Sequence, residues 1–233
     1  TRNTPPLTTF VSADPTVPGI DPESLWKWLG NWEAKTGGQV LAIPHNGNLS
    51  NGQMFESKRF NGQPITKQWA EERARWEPLV EVFQVKGTSE THPSLSPNDE
   101  FASFGIWDTA NLNGVVKKDG DLQGEYLREA LKTGLRLQTE FGVNPFKYGM
   151  AAGSDTHNSL ATGGEEGNFW GKFVADQPSP KRWDHVMFKQ QDGFKRLGWT
   201  QVAAGITGVW ATANTREALW DAMKRKETYA SSG

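Results

Sequence analysis

The first regular pattern of polar and apolar positions predicts a helix followed by a strand. Asp21 is a suitable N-cap, Pro22 fits the first helical position, and Gly37 is placed to end the helix. The short apolar run 39–43 that follows predicts a buried strand. Residues 1–20 contain four prolines and no periodicity, which predicts an extended lead-in.

The same order of helix and then strand recurs twice. Thr66 is a suitable cap for a helix over about 67–77, and the apolar strand 79–85 follows it. A longer helix, predicted over 121–141, precedes the apolar strand 147–152. Its apolar stripe is predicted at every fourth position, at Leu127, Leu131 and Leu135.

The carboxyl-terminal part of the chain predicts one further strand and helix. The apolar run 205–211 predicts the strand, and Asn214 with Glu217 predicts a capping pair for a helix to about Arg225. Residues 227–233 have an extended pattern. Because helices alternate with strands along the chain, the expected fold class is α/β with parallel strands.

Composition narrows the class of protein. The chain has 233 residues, 36% of them hydrophobic, and a formal net charge of −2, which predicts one soluble globular domain without a nucleic-acid surface. Without cysteine it has no disulfide, no thiolate zinc site and no cysteine nucleophile. No apolar run is long enough to span a bilayer. The compartment, cytoplasmic or periplasmic, stays open, and so does the oligomeric state.

Aromatic residues are abundant, with eleven tryptophans and twelve phenylalanines. Trp26, Trp28 and Trp32 share the first predicted helix. Such residues at helical spacing are typical of a hydrophobic core. A surface that binds carbohydrate through exposed aromatic rings is the alternative.

Three of the four histidines come just after the carboxyl end of a predicted strand. His45 follows 39–43, His92 follows 79–85, and His157 follows 147–152 with Asp155 two residues before it. Side chains two apart in an extended chain point to the same side, so Asp155 and His157 can share one cation. The alternative is an ordinary loop cap or a surface ion pair. The fourth histidine, His185, lies in an apparent surface element and is predicted to be structural.

These residues suggest metal chemistry at one edge of the sheet. A carboxylate oxygen with imidazole nitrogens suits Zn, Mn or Fe, and the carboxyl ends of parallel strands meet on one face. Lys86 is placed to contact an anionic substrate, as are Asn46 and Asn48 in the turn-rich loop after His45. A glycine-rich loop over 158–173 is predicted to cover the site.

The segment 153–157, Gly-Ser-Asp-Thr-His, together with 43–48, Ile-Pro-His-Asn-Gly-Asn, resembles the polymerase and histidinol phosphatase (PHP) superfamily. Its members are metal-dependent phosphoesterases with a distorted (β/α)7 barrel. More closely, most of the chain resembles the DUF3604 family. The resemblance implies that His45 belongs to the third metal motif, and that Asp155 and His157 belong to the fourth.

The first two metal motifs of that superfamily have no counterpart in the chain. The resemblance therefore implies the carboxyl-terminal portion of one barrel domain over 21–233, truncated at both ends, with the missing ligands before Thr1. Glu90 and His92 lie in a segment similar to DUF3604 that matches no established ligand. We expect them to act in proton transfer or substrate contact.

The expected function is a metal-dependent hydrolase, a phosphoesterase in which more than one divalent ion activates water. Its substrate would be a small anionic ester, and the fragment alone would be incomplete. The alternative is a non-catalytic domain that binds a ligand or carbohydrate. Metal content separates the two, because such a binding domain would hold no transition metal tightly.

Overall fold

Four α-helices and seven short strands form a mixed α/β fold in the computed structural model, which describes residues 21–157, 184–201 and 205–232. The helices are α1 (Pro22–Thr36), α2 (Lys67–Trp76), α3 (Leu127–Phe141) and α4 (Arg216–Lys224). The strands are β1 (Leu79–Gln84), β2 (Gly87–Thr88), β3 (Gly149–Ala152), β4 (Val186–Lys189), β5 (Lys195–Leu197), β6 (Thr207–Val209) and β7 (Thr228–Ala230). The predicted lead-in 1–20 and the predicted loop 158–173 lie outside the described residues.

Local capping chemistry sets the ends of α1 and α2 where the sequence predicts them. The Asp21 carboxylate accepts a hydrogen bond from the backbone N–H of Glu23 at 2.9 Å. Gly37 ends α1 with a left-handed φ of 66°, a conformation that glycine adopts without steric cost. The Thr66 hydroxyl accepts from the backbone N–H of Trp69 at 3.2 Å at the start of α2. These helix boundaries are confirmed.

Helix α3 differs from its prediction in both its start and its buried face. Residues Asp121–Gly124 form a 3₁₀ turn, so the α-helix begins only at Leu127. Leu135 is 64% exposed. Each four-residue step along an α-helix turns about 40° past a full circle, so residues at every fourth position gradually leave the buried face. The buried face instead alternates three- and four-residue steps, at Leu127, Ala130, Gly134 and Leu137.

The cap of α4 lies one residue later than predicted. The hydroxyl of Thr215, not the side chain of Asn214, accepts the hydrogen bond from the backbone N–H of Ala218, at 3.3 Å. Either residue is a good N-cap. The choice depends on which residue takes the extended backbone conformation, and Thr215 does so with φ −125° and ψ 156°.

The central sheet has the order β2-β1-β3. Strands β1 and β3 are parallel, with Leu79 opposite Gly149, as the alternation of helices and strands predicts. The pairs β1·β2, β4·β5 and β6·β7 are antiparallel, contrary to the expectation of parallel strands throughout. The described residues form small sheets and no closed barrel.

Residues 39–43 run beside β1 without forming the predicted strand. The backbone N–H of Ala42 donates to Trp76 O at 2.7 Å, and Glu81 N–H donates to Pro44 O at 2.9 Å. These bonds hold the segment alongside β1, so that His45 lies at the carboxyl end of that strand. The segment is therefore positioned as predicted, although it lacks a regular ladder.

An aromatic core lies between the helices and the sheet. Trp26 of α1 is 2% exposed and packs edge to face on Trp69 of α2, with ring centroids 5.5 Å apart. Phe55 and Phe146 pack in the same way at 5.8 Å. The core interpretation is thus confirmed for Trp26. None of the helices within the described ranges is both long and apolar enough to cross a membrane.

Candidate functional site

The parallel pairing of β1 and β3 brings Lys86 and Asp155 together. Hydrogen bonds continue past the strand ends, from Gly153 N–H to Phe83 O at 3.2 Å and from Val85 N–H to Ser154 O at 3.3 Å. At this edge the ammonium group of Lys86 forms an ion pair with the carboxylate of Asp155. Opposite charges from two distant segments therefore meet where the sequence predicts the site.

Asp155 also faces the histidine two residues beyond it. Its Oδ1 atom lies 3.6 Å from Nε2 of His157. Asp155 has a left-handed backbone with φ 50°, which aspartate and asparagine tolerate better than most residues. This local turn holds the carboxylate between the ammonium of Lys86 and the imidazole of His157.

A chain of side-chain hydrogen bonds connects this ion pair to His45. We call it the amide relay, and it consists of His45, Asn46, Gln84 and Lys86. Lys86 Nζ donates to Gln84 Oε1 at 2.8 Å, and Gln84 Nε2 donates to Asn46 Oδ1 at 2.6 Å. Asn46 Nδ2 lies 2.6 Å from His45 Nδ1. The predicted residues His45, Asn46 and Lys86 thus join one connected set with Asp155 and His157.

Gln84 is the residue of the relay that was not predicted from the sequence. Its side chain is 1% exposed and bridges two segments that are 38 positions apart in sequence. Glu81 Oε1 also accepts from Gln84 Nε2 at 3.2 Å and from the backbone of Asn46 at 3.3 Å. A signal was available, because Glu81 and Gln84 are the polar residues in an otherwise apolar strand.

Asn48 is committed to holding loops together. It is 1% exposed, and its Nδ2 donates to the carbonyl oxygens of Lys86 at 3.1 Å and Trp107 at 2.9 Å. Its Oδ1 accepts from the hydroxyl of Ser89 at 2.9 Å. These three bonds occupy most of the polar capacity of the amide. The predicted contact between Asn48 and substrate stays a prediction.

His92 forms a separate pair with Asp108. His92 Nε2 lies 3.0 Å from Asp108 Oδ2, and His92 Nδ1 accepts from the backbone N–H of Ser94 at 3.1 Å. Because the backbone group can only donate, the neutral ring carries its hydrogen on Nε2 and donates it to Asp108. Both ring nitrogens are engaged, so proton transfer by His92 would require one of these bonds to open.

Glu90 lies on an exposed ion-pair network. Arg128 donates to Glu90 Oε1 from Nη2 at 2.6 Å and to Asp99 Oδ2 from Nη1 at 2.7 Å. These three residues line a cavity of about 410 Å³ whose wall also includes Phe104. Glu90 therefore lies in the wall of this cavity. The catalytic role of Glu90 stays a prediction.

Asp155 and His157 have the chemistry and spacing of two ligands to one cation. Two tetrahedral ligands, each about 2.0–2.1 Å from a zinc ion, lie about 3.4 Å apart. The observed 3.6 Å between their oxygen and nitrogen is close to that spacing. Across the described part of the chain, no group of three or more histidine, aspartate or glutamate side chains is arranged to hold a metal. Asp155 and His157 therefore have suitable geometry to supply two of the ligands of a metal site.

His185 immediately precedes β4. Its carbonyl oxygen accepts from the backbone N–H of Gly198 at 2.8 Å, beside the β4·β5 hairpin. This contact involves only the backbone of His185, and the structural role of its side chain stays a prediction.

Comparison with known proteins identifies the family. A family model described as "Protein of unknown function (DUF3604)" matches residues 3–233. The chain belongs to the DUF3604 family. No curated protein and no solved structure matches it.

The DUF3604 site combines three kinds of group in one connected set. It has an ammonium at Lys86, carboxylates at Glu81 and Asp155, and imidazoles at His45 and His157. Oxygen and nitrogen ligands of this kind bind transition metals, and an ammonium binds anionic oxygens. The arrangement can therefore accommodate a cation and an anion next to each other.

Proposed function

We propose that this DUF3604 protein is a metal-dependent hydrolase, and that it is a phosphoesterase acting on a small anionic ester. The observation that carries the proposal is the Asp155–His157 pair, with 3.6 Å between Oδ1 and Nε2, beside the ammonium of Lys86. A bound cation and a positively charged side chain each attract the oxygens of a phosphate ester.

Asp155 and His157 would hold a divalent ion, Zn, Mn or Fe. The resemblance also implies His45 as a ligand, but Nδ1 of its ring faces the side-chain amide of Asn46. When bound, such an ion lowers the pKa of water and offsets negative charge on the ester. We also propose descent from the PHP superfamily, with more than one ion and a (β/α)7 barrel. The motifs after residues 43 and 152 and the parallel pair β1·β3 support this.

The side chains of the protein itself would bind and orient the ester. Lys86 is 9% exposed and held from both sides by Gln84 and Asp155, so its charge is fixed at the site before substrate arrives. Fixed charges stabilise a developing negative charge without reorganisation. Asn46 is proposed to assist at the substrate, and His92 and Glu90 stay candidates for proton transfer.

One observation favours a second candidate, a non-catalytic domain that binds carbohydrate or another ligand. Trp210 and Tyr229 are 70% and 54% exposed, and their ring centroids lie 5.7 Å apart. Adjacent exposed aromatic rings can stack on a sugar. This candidate predicts no tightly held transition metal.

Metal analysis and turnover of an aryl phosphate, measured on the same preparations, test the proposal. The decisive variant is Asp155→Asn, which removes the charge but tolerates the φ of 50° at this position. We expect it to lose both bound metal and hydrolysis. His185→Ala is the control and should keep both. Full metal content and full turnover in Asp155→Asn would show that the site assignment is wrong.

A further inference from the structure

The orientation of the Gln84 amide is fixed by groups whose polarity is known. Its Oε1 atom lies 3.0 Å from the backbone nitrogen of Lys86 and 2.8 Å from Lys86 Nζ, and both of these groups can only donate. Its Nε2 atom lies 3.2 Å from the carboxylate of Glu81, which accepts. Three contacts therefore require the oxygen of Gln84 to face Lys86 and its NH₂ group to face the other way.

The orientation of the Gln84 amide also determines which atoms Asn46 and His45 present to each other. Because Gln84 presents NH₂, Asn46 must turn its oxygen toward it, at 2.6 Å. The NH₂ group of Asn46 then faces His45 Nδ1, also at 2.6 Å. A donor at this distance requires a lone pair on Nδ1. A neutral His45 ring must therefore carry its hydrogen on Nε2.

This tautomer is the opposite of the one needed to bind a metal through Nε2, and the other nitrogen, Nδ1, is occupied by the NH₂ group of Asn46. A histidine that binds metal through one nitrogen almost always donates the other N–H to an acceptor. At His45 the second nitrogen meets a donor instead. To free Nε2 for a metal, both amides would have to turn over. Gln84 would then direct its NH₂ group at the two donors of Lys86, so the relay opposes the change.

We propose that His45 serves as a hydrogen-bond donor through Nε2–H, in place of a metal ligand, and that Gln84 and Asn46 are positioning residues that set this tautomer. The use of this donor in catalysis rests on the proposed function. If a metal is bound nearby, a fixed N–H would stabilise an anionic oxygen of the ester. His45 is an exposed residue. The tautomer itself can be tested independently of any activity.

The direct test is a long-range ¹H–¹⁵N correlation spectrum of ¹⁵N-labelled protein, recorded with the imidazoles in their neutral form. His45→Gln assigns the His45 signals among the four histidines. We expect a protonated Nε2 and an unprotonated Nδ1. A His45 ring that carries its hydrogen on Nδ1 would overturn the proposal.

Two variants reverse the polarity without altering His45. Gln84→Glu turns an acceptor toward Asn46, which must then present its oxygen to His45 Nδ1. Asn46→Asp places an acceptor there directly, and aspartate tolerates the φ of 57° at that position. Both should move the hydrogen to Nδ1. Gln138→Glu, an exposed change of the same kind on α3, should leave His45 unaltered.

If Gln84→Glu does not fold, Asn46→Asp alone still tests whether the relay sets the tautomer of His45. A folded Asn46→Asp protein with its hydrogen still on Nε2 would contradict the role of the relay.

Titration of the unmodified protein with Zn²⁺ separates this inference from the proposed function. His157 should shift to a metal-bound signal while His45 keeps its Nε2–H. Loss of the Nε2 hydrogen from His45 on addition of zinc would overturn the donor role. If no histidine responds to zinc, the proposed metal site fails, but the tautomer and its dependence on Gln84 still stand.

Discussion

The ammonium group of Lys86 contacts the carboxylate of Asp155 across the carboxyl ends of two parallel strands. A cation bound by Asp155 would therefore lie close to another positive charge. At an effective dielectric constant of about 20, two unit charges 4 Å apart interact by about 4 kcal/mol. Lys86 must then oppose metal binding while it favours an anionic substrate.

Lys86→Met should separate these two effects. We expect zinc to bind at least about tenfold more tightly, equivalent to about 1.4 kcal/mol, and KM for an aryl phosphate to rise because the substrate loses its ammonium contact. Isothermal titration with Zn²⁺ and steady-state kinetics measure the two changes. Lys132→Met is the control, since Lys132 is an exposed residue that pairs with Glu129 on α3. Unchanged zinc affinity would show that Lys86 does not act on the metal.

His92→Gln tests whether His92 transfers protons or holds a loop. Its ring nitrogens bond to Asp108 and to the backbone of Ser94, so we expect a loss of about 1–2 kcal/mol in unfolding free energy. We expect metal content to persist and kcat to fall less than about tenfold. Urea unfolding, metal analysis and turnover provide the measurements. A rate loss of roughly 10²- to 10⁴-fold in folded, metal-loaded protein would support proton transfer instead.

Arg128→Met should raise the pKa of Asp99. The backbone N–H of Phe101 and the guanidinium of Arg128 lower that pKa from its ordinary value of 3.8. A depressed carboxyl pKa contributes stability above the unfolded value, and that contribution is lost as the pH falls through the folded value. The variant should therefore lose less stability below pH 3.8 than the parent protein.

An NMR titration of the Asp99 carboxyl carbon measures this shift directly. Because Phe101 still donates its hydrogen bond, the pKa should recover only in part. Arg136→Met is the matched control, since Arg136 pairs with Glu140 elsewhere on α3. An Asp99 pKa that does not respond to Arg128→Met would show that this ion pair is absent in solution.

Arg73→Met should strongly destabilise the fold. Arg73 Nε lies 2.9 Å from Glu77 Oε2 and donates to the Tyr148 hydroxyl at 3.2 Å, with both charged side chains at most 6% exposed. Its guanidinium also lies 4.8 Å from the ring centroid of Phe146. Removal of one partner leaves a buried charge uncompensated, and we expect a loss of about 3–5 kcal/mol in urea unfolding.

The control for this variant is Arg75→Met, two residues along the same helix. Arg75 is 58% exposed and pairs with Glu33, so its loss should cost less than about 1 kcal/mol. The double variant Arg73→Met with Glu77→Met removes both charges and should recover part of the loss. Equal stability of the two single arginine variants would show that the buried pair contributes little.

The sequence by itself determined the features that depend on neighbouring residues. The ends of α1 and α2 follow from the side chains of Asp21 and Thr66 and from the backbone freedom of Gly37, all of which act within one turn of helix. The placement of histidines after strands was also readable, because a strand end and the residue beyond it are adjacent in the chain. Membership of DUF3604 followed from short motifs in the same way.

Only the tertiary structure decided which of these positions meet. Gln84 gains its role because residues 39–45 pass beside β1 and bring Asn46 to its amide, and hydrophobic periodicity carries no information about such polar contacts. Leu135 is exposed because the buried face of α3 is the one that carries Ala130, Gly134 and Leu137, and Gly134 packs close to the side chain of Asn144. Hydrogen-bond polarity at His45 is likewise set from Lys86, 41 residues away, through side chains that meet only in the folded chain.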